Sequence, residues 1–422
     1  MRTLYNILSH VTYAHLQVAK GFSKKLKLFV HGRKESFDRL SSVISATDQT
    51  LWMHCASLGE FEQGVPILEE LKKNYPNFKI VVTFFSPSGY EIKKDSPLAD
   101  IVAYLPFDTI HNVKKFMSIV HPSLALFVKY EIWPNYLLEL QAKNIPALLV
   151  SGVFREKQIF FKVHGGFMRK ALRTIHHFFV QNEASKVILE KLDIKNTTVS
   201  GDTRFDRVSH QIEMDNSLDF MADFVANSLC VVCGSTWPED EAILLDYINS
   251  QPKGVKFVIA PHKIENSKIE SFRNKLISKT ILYSELNTNS SLKEDIALSH
   301  ASVFIVDTIG YLTKIYSYAD VAYVGGAASN TGLHNILEPA TFGVPILIGT
   351  NYEGFSEAKK LRSLAGLYSV GTSEECSTIL NKLLSDEKFR TKTGMISGHF
   401  INKNTGATKI IMDYIKQMHL NA

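Results

Sequence analysis

The chain has 422 residues, which is too long for one ordinary domain and fits two domains of roughly 200 residues each. Hydrophobic residues make up 45% and charged residues 21%, a balance that excludes long disorder and allows two buried cores. Four cysteines are too few for a disulfide-rich fold and are typical of a reducing compartment.

The N-terminal segment, residues 1–48, carries most of the positive charge. Its first 39 residues include eight Lys or Arg and two acidic residues, a net charge of +6, whereas the whole chain has +5. The uncharged stretch from Arg2 to Lys20 contains too many polar residues for a transmembrane helix. The segment contains no nucleic-acid-binding module, so nucleic acid is not an expected partner.

Apolar residues within this segment recur at helical spacing, and basic residues follow them. This pattern predicts an amphipathic helix that lies on an anionic membrane surface. A helix docked on the body of the protein, with a solvated basic tail, is the alternative. The apolar residues at this spacing are Leu4, Ile7, Leu8, Val11 and Val18.

From about residue 50, short apolar runs alternate with helical stretches, and the same pattern restarts near residue 228. Such runs indicate parallel sheets built from β-α-β units. We therefore predict an α/β protein of two tandem Rossmann-like domains, 49–210 and 228–395, facing a central cleft. A polar linker, 211–227, joins them, and a C-terminal helix, 396–422, follows. Ligands of such sheets bind beyond the carboxyl ends of the strands.

The predicted strands are Leu51–Cys55, Ile80–Phe84, Ser123–Val128, Pro146–Val150 and His177–Val180 in the first domain, and Leu229–Cys233, Lys256–Ala260, Val303–Val306, Val321–Val324 and Pro345–Ile348 in the second.

The loop after the first predicted strand contains Ser57, Gly59 and Glu60. Gly59 allows a tight turn, and Glu60 opens the following helix. A carboxylate in the first turn of a helix is ordinarily a surface residue that the helix dipole favours. The alternative is a general base that takes a proton from an acceptor hydroxyl.

Two further loops of the first domain carry candidate residues. Glu131, Trp133 and Asn135 follow the third predicted strand, where a tryptophan beside a carboxylate is typical either of simple packing or of a sugar site. Arg204, in the stretch Gly201–Asp206, is placed either to bind an anionic ligand or to bridge to Asp206.

Three loops of the second domain lie between a strand and a helix and contain small residues with free backbone N–H groups. Such loops form a natural phosphate cradle. The candidate residues in them are Ser235 and Thr236, Pro261 and His262, and Thr308, Ile309 and Gly310.

The stretch from Tyr323 to Ala340 contains a glycine-rich approach to a helix predicted to start near His334. Glu338 lies four residues beyond His334 and three beyond Asn335, so all three are expected on one face of that helix. A carboxylate there can accept hydrogen bonds from ribose hydroxyls, while Asn335 and the helix N-terminus bind phosphate. A capped helix with an exposed glutamate is the alternative.

Three common nucleotide motifs are absent from the sequence: the G-x-G-x-x-G fingerprint, the phosphate-binding P-loop and the D-x-D metal clamp. Their absence argues against dehydrogenases, P-loop nucleotidases and metal-dependent sugar transferases. The C-x-x-C pair Cys230 and Cys233 lies in an apolar run and is interpreted as buried strand residues rather than a zinc or redox site. No metal and no cofactor is therefore expected.

Taken together and in this order, the motifs resemble the 3-deoxy-D-manno-octulosonic acid (Kdo) transferases of lipopolysaccharide synthesis, which have the GT-B fold of two Rossmann-like domains. The similarity runs from about His31 to Met395. The stretches that carry it are Ser57–Glu60, Glu131–Asn135, Gly201–Asp206, Ser235–Thr236, Asp307–Gly310 and His334–Pro339.

The resemblance implies an inverting, metal-independent transfer of Kdo from CMP-Kdo, a co-substrate, to the lipid A precursor lipid IVA. Glu60 matches the general base of the family, and Glu131 is a second catalytic candidate. The first domain would bind the acceptor, and the second would hold CMP with Glu338 on the ribose. The expected location is the cytoplasmic face of the bacterial inner membrane, on its anionic surface.

The sequence departs from the family pattern at several positions. Lys129 stands where the family usually has glutamate, Trp237 where it usually has histidine, and Tyr311 where it usually has glutamate. Two other functions remain open. One is a heptosyl- or N-acetylglucosaminyltransferase of the same fold that uses a different nucleotide sugar. The other is a non-catalytic, membrane-tethered nucleotide-binding protein.

Overall fold

The computed structural model of the chain describes residues 2–250, 252–288 and 298–420. It divides into two compact units. The N-terminal unit comprises residues 1–207 and 404–422, and the C-terminal unit comprises residues 208–403. Each is an α/β unit with a seven-stranded parallel sheet, so the predicted pair of Rossmann-like domains is confirmed.

The N-terminal unit begins with two helices and continues as alternating strands and helices. Its strands are β1 (Gln49–Cys55), β2 (Phe78–Phe84), β3 (Ile101–Tyr104), β4 (Pro122–Val128), β5 (Ala147–Gly152), β6 (His177–Val180) and β7 (Thr197–Val199). Its helices up to residue 210 are α1 (Arg2–Ala19), α2 (Lys24–Val43), α3 (Leu58–Asn74), α4 (Pro87–Lys93), α5 (Ile110–Val120), α6 (Pro134–Ala142), α7 (Gly166–Leu172), α8 (Glu183–Glu190) and α9 (Thr203–His210).

The strand order of this sheet is β3-β2-β1-β4-β5-β6-β7. The chain adds strands to one side of β1 up to β3 and then to the other side from β4 onward, so the direction of strand addition reverses between β1 and β4; we call this place the reversal point. These two strands pair in parallel from Leu51 with Leu124 to His54 with Phe127. Side chains on both faces of β1 and β4 are buried in two apolar clusters. The reversal point is where ligands bind in such sheets, and the loops carrying Glu60 and Glu131 both leave from it.

The C-terminal unit repeats this plan. Its strands are β8 (Leu229–Thr236), β9 (Val255–Pro261), β10 (Thr280–Leu282), β11 (Val303–Ile305), β12 (Val321–Val324), β13 (Ile346–Ile348) and β14 (Leu367–Ser369). Its described helices are α10 (Asp219–Val225), α11 (Pro238–Asn249), α12 (Asn266–Arg273), α13 (Glu285–Thr288), α14 (Leu312–Ile315), α15 (Leu337–Thr341), α16 (Ser356–Ser363), α17 (Ser373–Ser385) and α18 (Glu387–Asn404).

The strand order of the second sheet is β10-β11-β9-β8-β12-β13-β14, and its reversal point lies between β8 and β12. Ser235 lies at the end of β8, and the loop after β12 carries His334. Cys230 and Cys233 are fully buried in β8 and unpaired, as the sequence predicts.

Helix α1 packs on the N-terminal unit through its polar and aromatic side. The Tyr5 hydroxyl donates to Oδ2 of Asp108 over 2.7 Å, Ser9 is buried, and the Tyr13 ring lies 5.4 Å from that of Phe107. The apolar stripe of α1 lies on the opposite side and points away from the body. Its members are at least 54% exposed: Leu4, Ile7, Leu8, Val11 and Val18. Among the described helices, none is long and apolar enough to cross a membrane.

Arg33 on α2 does not contribute to a basic surface, because its side chain is buried. The guanidinium donates to the carbonyl oxygens of Leu105 and Phe85, over 3.1 and 2.6 Å, and lies 3.6 Å from the ring centroid of Phe29. These bonds join α2 to the carboxyl ends of β2 and β3. One of the eight basic residues in the N-terminal segment therefore serves the core.

Three boundaries differ from the sequence predictions. The predicted linker 211–227 contains a 3-10 turn and α10. The predicted helix near His334 begins only at Leu337, and Gly332 before it has a left-handed backbone conformation with φ 97°. The predicted C-terminal helix 396–422 is divided between the end of α18 and α19 (Ala407–Gln417). The carboxylate of Asp206 accepts the backbone N–H of Thr408 over 2.6 Å and so caps α19.

Candidate active site

Glu60 lies in the first turn of α3, at the reversal point of the N-terminal sheet. Its side chain is 7% exposed. Its Oε2 accepts the backbone N–H groups of Ala56 and Ser57, the latter over 3.2 Å. Burial, assisted by the negative charge of Glu131, raises the pKa of Glu60 to about 7. The carboxyl group therefore exchanges a proton readily near neutral pH, which is what a general base requires.

Glu131, in the loop after β4, is held by its neighbour Trp133. The indole N–H of Trp133 is shared between Oε2 of Glu131, at 3.2 Å, and Nε2 of His54, at 3.0 Å. The Trp133 ring also packs on Phe85, with 4.8 Å between ring centroids. These contacts fix the position of the second carboxylate beside Glu60.

His54, at the end of β1, is fully buried. Its Nδ1 lies 3.1 Å from the carbonyl oxygen of Thr83, which can only accept a hydrogen bond. Nδ1 therefore carries the proton, and Nε2 accepts from Trp133. Nε2 is also 3.7 Å from Oε2 of Glu131. His54 thus holds the indole of Trp133, which in turn holds Glu131.

Asn135 is predicted to bind substrate, but the structure uses its side chain to hold α1. Its Nδ2 donates to Oδ1 of Asn6 over 3.0 Å, and its Oδ1 accepts from Nε of Arg2 over 3.2 Å. Asp108 accepts the backbone N–H of Asn135 over 3.2 Å and caps α6. Burial raises the pKa of Asp108 to about 6. Substrate contact by Asn135 stays a prediction, because its amide already serves α1.

The remaining candidates of this unit lie near Glu60 in different settings. Ser57 immediately precedes α3 and is half-buried, whereas Gly59 is exposed, with open space around it. Arg204 pairs with Asp202, its Nε donating to Oδ2 over 2.9 Å. Asp202 also accepts a hydrogen bond from Nε2 of Gln63, which lies three residues after Glu60 on α3.

In the C-terminal unit, the buried carboxylate of Asp240 joins the loops that follow β8 and β12. Its Oδ2 accepts the backbone N–H groups of Trp237 and Gly326, both over 2.9 Å. Its Oδ1 accepts the hydroxyl of Tyr323 over 2.9 Å. A Cβ on Gly325 would lie 2.8 Å from Oδ2 of Asp240, so only glycine allows this close approach.

The loops that follow β8, β9 and β12 meet in an aromatic cluster of three side chains. Trp237 donates its indole N–H to Nε2 of His334 over 3.1 Å. His262 stacks on Trp237 at 4.8 Å and lies 4.2 Å from His334, measured between ring centroids. Burial, with the nearby His262, lowers the pKa of His334 to about 4. His334 is therefore neutral near pH 7, with its proton on Nδ1.

Asn335 and Glu338 are brought together as the sequence predicts, although they do not share a helix face with His334. Nδ2 of Asn335 donates to Oε1 of Glu338 over 3.0 Å, and the Thr313 hydroxyl donates to Oε2 over 3.2 Å. A carboxylate oxygen can accept more than one hydrogen bond. The pair therefore offers polar atoms to a ligand beside the cluster of His262 and His334.

Ser235 and Thr236 end β8 at the reversal point, and Ser235 adopts a left-handed backbone conformation with φ 55°. Thr236 is buried and donates to Glu241 over 3.0 Å. Pro261 ends the neighbouring strand β9. Thr308, Ile309 and Gly310 follow β11, which is separated from β8 by β9. They lie farther from the reversal point than the other candidates, and Ile309 is 84% exposed.

Sequence reasoning missed three residues that organise these loops: His54, Asp108 and Asp240. Asp240 leaves a usable signal, because it lies three residues after Trp237 in the first turn of α11, where a carboxylate reaches back to the preceding backbone. His54 and Asp108 act over long sequence separations. Among the described residues, no group of three or more His, Cys, Asp or Glu side chains is placed to hold a metal ion.

Two Rossmann-like domains, each with polar loops at the reversal point of its sheet, define the GT-B class of fold. Solved structures share this arrangement. The UDP-GlcNAc 2-epimerase of Neisseria meningitidis is similar with a TM-score of 0.61 and 14% identity, over 87% of this chain and 100% of that chain. MurG of Acinetobacter baumannii is similar with a TM-score of 0.52 and 12% identity, over 88% of this chain and 99% of that chain. These likenesses concern the fold alone.

The sequence is similar to one known family. Residues 31–207 match the family model described as 3-Deoxy-D-manno-octulosonic-acid transferase (kdotransferase). The 3-deoxy-D-manno-octulosonic acid transferase of Chlamydophila psittaci is 27% identical, over 80% of this chain and 79% of that protein. That of Aquifex aeolicus is 27% identical, over 84% of this chain and 92% of that protein. The N-terminal half of the chain therefore matches the Kdo transferase family model, and most of the chain is similar to Kdo transferases.

A further relative is a bifunctional glycosyltransferase/methyltransferase of Fusobacterium nucleatum, 27% identical over 98% of this chain. The chain spans 64% of the length of that protein.

Proposed function

We propose that this protein transfers Kdo from CMP-Kdo to the lipid A precursor lipid IVA, inverting the anomeric centre without a metal ion. The observation that carries the proposal is Glu60, a buried carboxyl group with a pKa of about 7 at the reversal point of the N-terminal sheet. The match of residues 31–207 to the Kdo transferase family model supports the choice of sugar. The names of the curated relatives support it as well.

In the proposed reaction, ionised Glu60 accepts the proton of a primary hydroxyl of the acceptor. The hydroxyl oxygen then forms a bond to the anomeric carbon of Kdo, while the bond from that carbon to the phosphate oxygen breaks. CMP leaves with the electron pair. Glu131, held by Trp133, keeps negative charge near Glu60 and makes it a stronger base.

The C-terminal unit is proposed to hold CMP. Glu338 would accept hydrogen bonds from the ribose, and backbone N–H groups of the loop after β8 would bind the phosphate. His334 adds a neutral Nδ1–H donor, because Trp237 occupies its Nε2. A neutral donor can stabilise charge that develops on a leaving phosphate without giving up its proton.

We further propose that the protein works at the cytoplasmic face of the inner membrane, with α1 lying on the anionic lipid surface. The support is the direction of its apolar stripe, which points away from the body while the polar and aromatic side packs on it. A helix of this kind buries its apolar side in the lipid interface. Apolar residues that merely docked on the protein would point the other way.

The test is sugar transfer in detergent with purified protein, freshly made CMP-Kdo and tetraacylated lipid A precursor. Loss of a general base should lower the rate of Glu60→Gln by roughly 10²–10⁴-fold. The matched control is Glu69→Gln, an exposed glutamate on the same helix, which should leave the rate unchanged. Absence of transfer by folded wild-type protein would refute the proposal. Transfer from a UDP- or ADP-linked sugar instead would assign another transferase of the same fold.

A further inference from the structure

Lys129 is the first residue after β4 and has a backbone conformation that a lysine rarely adopts. Its φ is 64°, and its N–H donates to the carbonyl oxygen of Val150 over 2.8 Å. Glycine and asparagine enter the left-handed region more readily than other residues. Backbone geometry therefore does not explain a lysine here, and strained residues of this kind are concentrated at functional sites.

Lys129 follows β4 and Glu60 follows β1, and these two strands pair in parallel, so both residues lie at the same edge of the sheet. The positive charge of Lys129 opposes the rise in the pKa of Glu60. The side chain of Lys129 is half-buried at the carboxyl end of β4. Within the described part of the chain, however, its ammonium group makes no hydrogen bond or ion pair. The two carboxylates of the site already accept hydrogen bonds from other groups. Glu60 accepts from backbone N–H groups, and Glu131 accepts from the indole of Trp133.

An unpaired cation beside two carboxylates has a clear physical use. Both substrates of the proposed reaction are anions: Kdo carries a carboxylate and the lipid acceptor carries phosphates. Glu60 and Glu131 would repel either of them at short range. A cation at Lys129 offsets that repulsion and provides a directional contact for one oxygen.

We propose that Lys129 binds an anionic oxygen of a substrate at the reversal point of the N-terminal sheet, either the donor carboxylate or an acceptor phosphate. The inference rests on the proposed function for the identity of the substrates. The left-handed turn places Lys129 directly after β4, at the edge of the sheet where Glu60 lies.

Steady-state kinetics with each substrate varied in turn separates the two sources. The first variant is Lys129→Asn, since asparagine tolerates the left-handed conformation and should preserve the fold. Loss of a charged hydrogen bond should raise the KM of one substrate by about 10- to 100-fold. A rise confined to CMP-Kdo identifies the carboxylate, and a rise confined to the lipid identifies the phosphate. The control is Lys143→Asn, at an exposed lysine just after α6, which should change neither KM.

A binding measurement keeps the inference separate from the proposed function. Lysines of the full chain are labelled by reductive ¹³C-methylation, and the Lys129 signal is identified by its absence in Lys129→Arg. Free Kdo or inorganic phosphate should shift this signal, even in a protein that transfers no Kdo. An unmoved signal, together with KM values within twofold of wild type, would overturn the inference. If wild type shows no transfer, an unmoved signal alone overturns it.

Discussion

The indole N–H of Trp133 donates to Nε2 of buried His54 over 3.0 Å, and Trp237 makes the same bond to His334 over 3.1 Å. In the N-terminal unit, His54 lies in β1 and Trp133 follows β4. In the C-terminal unit, Trp237 follows β8 and His334 follows β12, so both pairs lie at a reversal point. Each bond requires a histidine with an unprotonated Nε2. Each domain thus contains a tryptophan–histidine pair in which the tryptophan fixes the tautomer of the histidine with its proton on Nδ1.

Replacing Trp133 by phenylalanine should release this constraint. His54 would lose the donor at Nε2, and Glu131 would lose the indole N–H that holds it. We expect a mixture of His54 tautomers and a lower kcat. The tautomers are measured by ¹⁵N NMR of the ring nitrogens. Trp237→Phe is the matched variant in the other unit and should alter His334 alone. An unchanged His54 spectrum in Trp133→Phe would contradict this assignment.

The rate should depend on the ionisation of Glu60. The proposed base acts only as the carboxylate, so kcat/KM should fall as the pH drops below about 7. Glu131→Gln removes a negative charge that raises this pKa, and the acid limb should move to lower pH. Lys129→Asn removes a charge that lowers it, and the limb should move to higher pH. Glu69→Gln serves as the control. If the acid limbs of the pH profiles of kcat/KM coincide in all variants, Glu60 is excluded as the titrating group.

Glu60→Gln should stabilise the protein while it abolishes transfer. The pKa is about 7 when folded and 4.5 ordinarily, so between these values the folded state holds a proton that the unfolded state has lost. Stability therefore falls as the pH rises through this window. Glutamine avoids this cost, on the order of 1–3 kcal/mol above pH 7. The urea-unfolding midpoint of the variant should exceed that of wild type at pH 8 but not at pH 5. Equal differences at both pH values would contradict the shifted pKa.

The apolar stripe of α1 should carry the affinity for lipid. Each exposed aliphatic side chain contributes about 1.5–3 kcal/mol when fully buried. The double variant Ile7→Gln/Val11→Gln should therefore lose most of its flotation with vesicles that contain anionic lipid. Thr12→Gln, at an exposed polar position of the same helix, is the control. Flotation equal to wild type in the double variant would show that α1 does not bind lipid.

The sequence predicts the central strands of both sheets but misses all four edge strands, β3, β7, β10 and β14. Edge strands here have only three or four residues, which is too short for a periodic pattern to stand out. Central strands are longer or lie in continuous apolar runs, because both of their faces are buried.

The candidate site shows a similar division. Glu60, Glu131 and the pair of Asn335 and Glu338 follow from local motifs and from the rule that ligands bind beyond the carboxyl ends of strands. The contact of Asn135 with α1 could not be predicted, because it joins residues 129 positions apart. The helix predicted near His334 begins three residues later, at Leu337. No proline between these two residues marks the boundary in the sequence.

Helix α19 completes the core of the unit that the chain begins. Its Ile411, Met412 and Ile415 are buried in the same apolar cluster as α3, β1 and β2, and Asp206 caps its first turn. Nearly the entire C-terminal unit lies between β7 and α19 in the sequence. On the ribosome, the N-terminal sheet therefore emerges with one side covered only in part, by α3. Its final assembly is delayed until the second domain and α19 have been translated.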